Sequence, residues 1–174
     1  IEIPIKKPYQ LIKTSTYNEL SFSNHEGNEG SWVSIGPIET FTTYQNDIYT
    51  QDDISPKSSQ LNVYTFDQSL SNPNILFSGG ETGGVFKSEN KGVSWEAVGD
   101  DYNLNGHVET IEIDPSDENI VYFTNRDGYM YKSIDGGDTW NEIFYGSDFQ
   151  ISAIEISKDN SDLIWIAGNK GLYK

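Results

Sequence analysis

The sequence predicts an all-β protein built from a repeated four-stranded unit. Three observations carry that reading. Short β-branched and aromatic runs alternate with turn residues along most of the chain, no segment shows the 3.6-residue apolar period of a helix, and one stretch repeats another at a fixed offset. Residues 85–98 (VFKSENKGVSWEAV) line up without a gap on 130–143 (MYKSIDGGDTWNEI), an offset of 45. The same offset carries 74–77 (NILF) onto 119–122 (NIVY), Gly83 onto Gly128 and Val63 onto Val108. A third copy starts at Ile151, where 151–156 (ISAIEI) matches 108–113 (VETIEI), 162–165 (DLIW) matches 119–122, and 171–174 (GLYK) matches the start of the Lys-Ser strand.

Within one unit the elements follow in order. Residues 108–113 read as a strand, 114–118 (DPSDE) as a turn, 119–124 as a strand and 126–128 (RDG) as a turn. Residues 129–134 give the third strand, 135–137 (DGG) a turn and 139–144 the fourth strand. Four antiparallel strands in about 45 residues is the size of a β-propeller blade. The chain then divides into an N-terminal extension (1–30) and a partial propeller (31–174). The latter comprises a ring-closing strand at 31–37, an inserted loop at 38–61, blades at 62–98 and 108–144, and a truncated blade at 151–174. That is an incomplete ring of about two and a half blades, where propellers use about 4–8. Open sheet edges are avoided in natural proteins, so the chain is expected to be the N-terminal part of a longer one.

The turn between third and fourth strands carries the most specific motif: Ser133, Asp135, Gly137, Thr139 and Trp140, with a weaker copy at Ser88, Asn90, Gly92, Ser94 and Trp95. It resembles the Asp-box, S-x-D-x-G-x-[ST]-W, of the BNR repeat found in sialidases, xyloglucanase-type glycoside hydrolases, sortilin-like receptors and photosystem assembly factors. The chemistry is local. The acid accepts N–H groups of its own turn, glycine supplies a positive φ, and tryptophan packs the turn on its sheet. Asn90 keeps an acceptor without the charge. Residues 31–37 (SWVSIGP) resemble the opening of secreted members, some of them cargo of type IX secretion, which implies a secreted or cell-surface location and contact with secretion or cell-surface machinery.

Composition narrows the chemistry. Among 174 residues, 11 basic against 27 acidic side chains give a net charge of −16, which opposes binding to nucleic acid or anionic lipid. No Cys means no disulfide framework, thiolate metal site or cysteine nucleophile. No run reaches the roughly 18 apolar residues needed for a membrane span, so no membrane insertion is expected. No cofactor or metal is expected either. His25 and His107 stand alone, the turns at 114–118 and 158–162 lack the calcium-loop spacing, and 79–84 (GGETGG) lacks the Gly-Lys-[Ser/Thr] ending of a phosphate loop.

In a propeller, the inter-blade loops and the turns between second and third strands share one rim. Here these bring Asp52, Asp53, Asp100, Asp101, Tyr102, His107, Arg126, Asp127 and Asp148 together, with Tyr102, His107, Arg126 and Asp148 as the candidate ligand-binding set. One arginine excludes a complete sialidase triad. A xyloglucanase-type hydrolase needs two carboxyls, about 6.5–9.5 Å apart for inversion. The leading expectation is a non-catalytic binding module for a protein or glycan ligand. The alternatives are a glycoside hydrolase of xyloglucanase type and an assembly-factor-like propeller.

Overall fold

The computed structural model describes residues 62–81, 84–98 and 107–174, together with the backbone of three short strands near the N-terminus. These are β1 (Ile12–Lys13), β2 (Glu19–Ser23) and β3 (Glu29–Val33). The first blade follows as β4 (Val63–Gln68), β5 (Leu76–Gly80), β6 (Val85–Ser88) and β7 (Ser94–Val98). The second is β8 (Val108–Ile113), β9 (Val121–Asn125), β10 (Tyr129–Ser133) and β11 (Asn141–Tyr145). The third sheet holds β12 (Ile151–Ser157), β13 (Asn160–Gly168) and β14 (Gly171–Tyr173). All described pairings are antiparallel between neighbours in sequence, apart from β1, which adds a fifth strand beside β7. The architecture is a partial β-propeller.

The extension therefore contributes to the first blade, covering an edge that would otherwise be open. Of the ring-closing strand expected at 31–37, residues 31–33 belong to β3, which pairs with β2 as a two-stranded sheet. Residues 34–37 and the loop expected at 38–61 lie outside the described residues.

Apolar alternation on the strands builds two seams. Ile75, Phe77 and Val85 of the first blade pack with Val108, Ile111, Ile113, Val121, Phe123 and Trp140 of the second. Tyr122 and Met130 pack with Ile151, Ile154 and Ile156 of the third. Gly79 lets the blades approach, since a Cβ there would collide with the Val108 side chain.

Polar side chains stitch the first strands of neighbouring blades at one register. Thr65 Oγ1 accepts the Ile111 N–H at 3.2 Å, and Asp67 Oδ2 accepts the Ile113 N–H at 2.8 Å. One blade on, the Glu112 carboxylate accepts the N–H of Ile156. Asp67, Glu112 and Glu155 thus occupy equivalent positions, each one residue before the amide that the preceding carboxylate receives or the place where it would stand. Burial raises both acids. Glu112 is pushed up to about 7, first by burial and then by the charges of Asp67 and Glu155, while the Ile156 N–H and Lys158 oppose the shift.

Candidate functional site

One backbone bond recurs at the rim of every blade. The N–H of a residue in the turn between second and third strands donates to the carbonyl of the residue preceding the first strand: Glu81 to Asn62 at 3.0 Å, Arg126 to His107 at 3.1 Å, and Asn169 to Gln150 at 3.2 Å. The backbone is constant and the side chains are not. A fixed frame with exchangeable side chains is how a scaffold carries a site.

In the first blade Asn62 Nδ2 donates to Glu81 Oε2 at 2.7 Å. In the second, His107 and Arg126 are joined through Glu109 of β8. His107 Nε2 lies 3.3 Å and Arg126 Nε 3.5 Å from the same oxygen, Glu109 Oε1. In the third, Asn169 Oδ1 accepts the Gln150 N–H at 3.1 Å, and its Nδ2 donates to the carbonyl of Asp148 at 3.2 Å. The imidazole of His107 also stacks on Tyr64 across the first seam, with ring centroids 4.4 Å apart and planes at 28°. Tyr64 remains half exposed and the Arg126 side chain is 65% exposed, so both still face solvent.

Of the candidate ligand-binding residues, the fold brings His107 and Arg126 together. Asp148 lies in the next inter-blade connection, exposed and tied to the third blade's turn through its backbone. Tyr102, with Asp52, Asp53, Asp100 and Asp101, lies outside the described residues. Asp127 is exposed in the Arg126 turn, its N–H donating to Asn125 Oδ1 at 3.1 Å. Sequence reasoning passed over Tyr64 and Glu109. A signal for both was present, because the offset of 45 makes them equivalent positions on first strands, two residues after the rim residues Asn62 and His107.

The Ser-Asp-Gly-Trp turn sits on a different part of the blade. Asp135 Oδ1 accepts the Thr139 N–H at 2.8 Å and the Ser133 hydroxyl at 2.8 Å, while Oδ2 accepts the Thr139 hydroxyl. Those bonds, the Thr139 hydroxyl first, hold its carboxyl below the usual range. Gly137 has φ 94° and its N–H donates to Ser133 Oγ at 2.8 Å. Asn90 makes the corresponding set with Ser88 and Ser94 in the first blade. Among the described residues no group of three or more His, Asp or Glu is arranged to hold a metal. No helix there is long and apolar enough to cross a membrane.

Two curated relatives match the chain. A xyloglucanase from a Paenibacillus species is 26% identical in an alignment 157 residues long that covers 80% of this chain and 14% of that protein. A xyloglucanase from Hypocrea jecorina is 26% identical in an alignment 100 residues long that covers 48% of this chain and 12% of that one. The chain therefore spans about an eighth of the length of the curated relatives it matches. Among solved structures, a GH74 enzyme of Niastella koreensis superposes with a TM-score of 0.53 at 26% identity, covering 61% of this chain and 17% of that one. YCF48 from Cyanidioschyzon merolae gives 0.54 at 17% identity over 65% of this chain and 33% of that one, a likeness of fold alone. No protein-family model matches.

These matches correct one expectation. The non-catalytic module was preferred because Asp-box turns recur in enzymes and receptors alike, and because abundant acids identify no catalytic pair. Both curated relatives and the Niastella protein are enzymes by name, and they back the xyloglucanase-type alternative instead.

Proposed function

We propose that this chain forms part of the propeller of a glycoside hydrolase acting on xyloglucan. The observation that carries the reading is the 26% identity to a xyloglucanase along 80% of the chain. The rim adds chemical support. It presents Glu81, Asp127 and Asp148 as exposed carboxyls on three different connections, and hydrolysis of a glycosidic bond needs two acids that face each other across it. A propeller sets rim acids of separate blades around one mouth, so the partners of a catalytic pair need not be near in sequence.

Within this reading the Ser133, Asp135, Gly137, Trp140 turn and its Ser88, Asn90, Gly92, Trp95 counterpart are Asp-boxes that hold blades rather than ligand. The substrate is a glycan, bound at the rim around His107 and Arg126. A polysaccharide is too large to pass a membrane, which supports a secreted or cell-surface location. The test is to incubate the purified full-length protein, of whose propeller this chain forms part, with xyloglucan and measure new reducing ends. Release from xyloglucan is expected, and failure to cut it or related β-glucans, with the protein folded, would overturn the proposal.

A further inference from the structure

The first seam carries a feature that hydrolysis alone does not require: an exposed aromatic ring and an exposed guanidinium joined through His107 and Glu109 at the rim. Tyr64 belongs to the first blade, whereas His107, Glu109 and Arg126 belong to the second. The His107 ring lies on Tyr64 at 4.4 Å and is itself anchored at 3.3 Å to Glu109. The same carboxylate oxygen holds Arg126 Nε at 3.5 Å, and the Arg126 N–H is tied to the His107 carbonyl at 3.1 Å. The four side chains thus form one connected unit in which the two outermost members, Tyr64 at 51% and Arg126 at 65%, are the exposed ones.

Two properties make this a receptor for something other than the protein itself. A tyrosine stacked on a partner that is itself anchored offers its ring with little rotamer freedom left to lose, which lowers the cost of ordering it on binding. An arginine whose Nε is engaged still has its outer N–H groups for a neighbouring acceptor, in a fork that lysine cannot reproduce. An apolar ring face and a fan of donors held in one side-chain unit match a sugar, whose axial C–H face is apolar and whose edge carries hydroxyl acceptors.

We infer that Tyr64, His107, Glu109 and Arg126 form a glycan-binding subsite across the seam of the first two blades, with a neutral pyranose of a β-glucan chain on Tyr64 and its hydroxyls bonded to Arg126. His107 and Glu109 are positioning residues, acting through the two that touch the sugar. The inference rests on the glycoside-hydrolase reading for its substrate class.

The experiment measures both hydrolysis and binding of xyloglucan oligosaccharides on the purified protein and its variants. Tyr64→Ala and Arg126→Lys are each expected to weaken oligosaccharide binding about tenfold or more and to raise KM more than they lower kcat. Tyr64→Phe, which keeps the ring face, should bind as the parent does, as should Tyr173→Ala, an exposed ring on β14 used as a control. Hydrolysis with Kd and KM unchanged in Tyr64→Ala and Arg126→Lys would overturn the subsite and spare the enzyme reading. Binding lost in those variants from a protein that cuts nothing would uphold the subsite and overturn the enzyme reading. Neither binding nor hydrolysis in the parent would overturn both.

Discussion

The first and second blades share a backbone plan, and their differences separate what the plan fixes from what it leaves open. In both, a serine hydroxyl accepts two N–H groups and donates to the next polar side chain, and the residue at position 94 or 139 donates its N–H at 2.8 Å to that same side chain. The fifth bond runs in opposite directions. Asn90 Nδ2 donates to Ser94 Oγ at 2.8 Å, whereas the Thr139 hydroxyl donates to Asp135 Oδ2. An amide and a carboxylate close the same turn because the hydroxyl partner reverses its role. The copy that looks degraded in sequence is complete in hydrogen bonds.

The blades differ more in what lies behind the turn. Trp140 joins a cluster that crosses into the first blade, and a Cβ at Gly137 would stand 3.0 Å from Phe77. Trp95 clusters with Leu76, Phe86 and Ala97 of its own blade among the described residues. Replacing either tryptophan by alanine should cost about 3–5 kcal/mol, with Trp140→Ala at the upper end because it loosens a seam as well as a blade. Denaturant midpoints would check this. Equal losses would mean that each turn serves only its own sheet, and the comparison would fail.

A second test concerns the acids at equivalent register. Glu112 lies between Asp67, Glu155 and Lys158, and its carboxyl is pushed up to about 7 from an ordinary 4.5. A raised acid favours the folded state when protonated, so its contribution is full below pH 4.5 and is lost as pH rises through about 7. Glu112→Gln keeps an acceptor for the Ile156 N–H and removes the charge. It should be more stable than the parent at pH 8 by about 1 kcal/mol, the half-exposed carboxyl being partly screened, and should lose that advantage at pH 5. An advantage that is the same at both pH values would show that neither burial nor the neighbouring charges raise the Glu112 carboxyl.

Most of this architecture was legible in the sequence because a gapless offset of 45 aligns strands, turns and glycines at once. The seams were half legible. Asp67 and Glu112 share that offset, yet their bonds to Ile113 and Ile156 depend on how far one blade rotates against the next, which no single unit encodes. The rim was read from its loops, so His107 and Arg126 were named as neighbours there, while Tyr64 and Glu109 were read only as strand residues. Trp32 resembles Trp95 in its local run, but strand pairing is settled by the available partner, and β3 lies beside β2.

A smaller effect separates the turn tips. Lys91 adopts φ 59° where the second blade has Gly136 at φ 69°. A side chain in the left-handed region costs about 1 kcal/mol, so Lys91→Gly should gain somewhat less than that after the added chain entropy of glycine. Gly136→Ala should lose about as much, since its Cβ would also press on Lys87 Nζ at 3.3 Å and Asn119 Oδ1 at 3.4 Å. Thermal unfolding of the two variants reads both signs, and a loss in Lys91→Gly would show that the lysine makes a compensating contact.

The smallest expected effect is also the sharpest, because it changes a single atom's chemistry. Asn90→Asp turns the first blade's turn into the second's. Ser94 then reverses its hydroxyl and donates, as Thr139 does, and three of the turn's bonds become bonds to a charged acceptor. Hydrogen bonds to charged groups are stronger than neutral ones, so the change should stabilise the chain by roughly 0.5 kcal/mol at pH 7, with exposure of the turn keeping the gain small. The sign with pH follows from Asp135, whose carboxyl is held below the usual 3.8 by the Thr139 hydroxyl and backbone. An acid depressed in the folded state contributes stability above its unfolded pKa and loses it as pH falls through the folded one. The gain from Asn90→Asp should therefore vanish below about pH 4, and Asp135→Asn should show the mirror loss over the same range. A gain that survives acidification would show that it does not come from the charge of the new carboxylate.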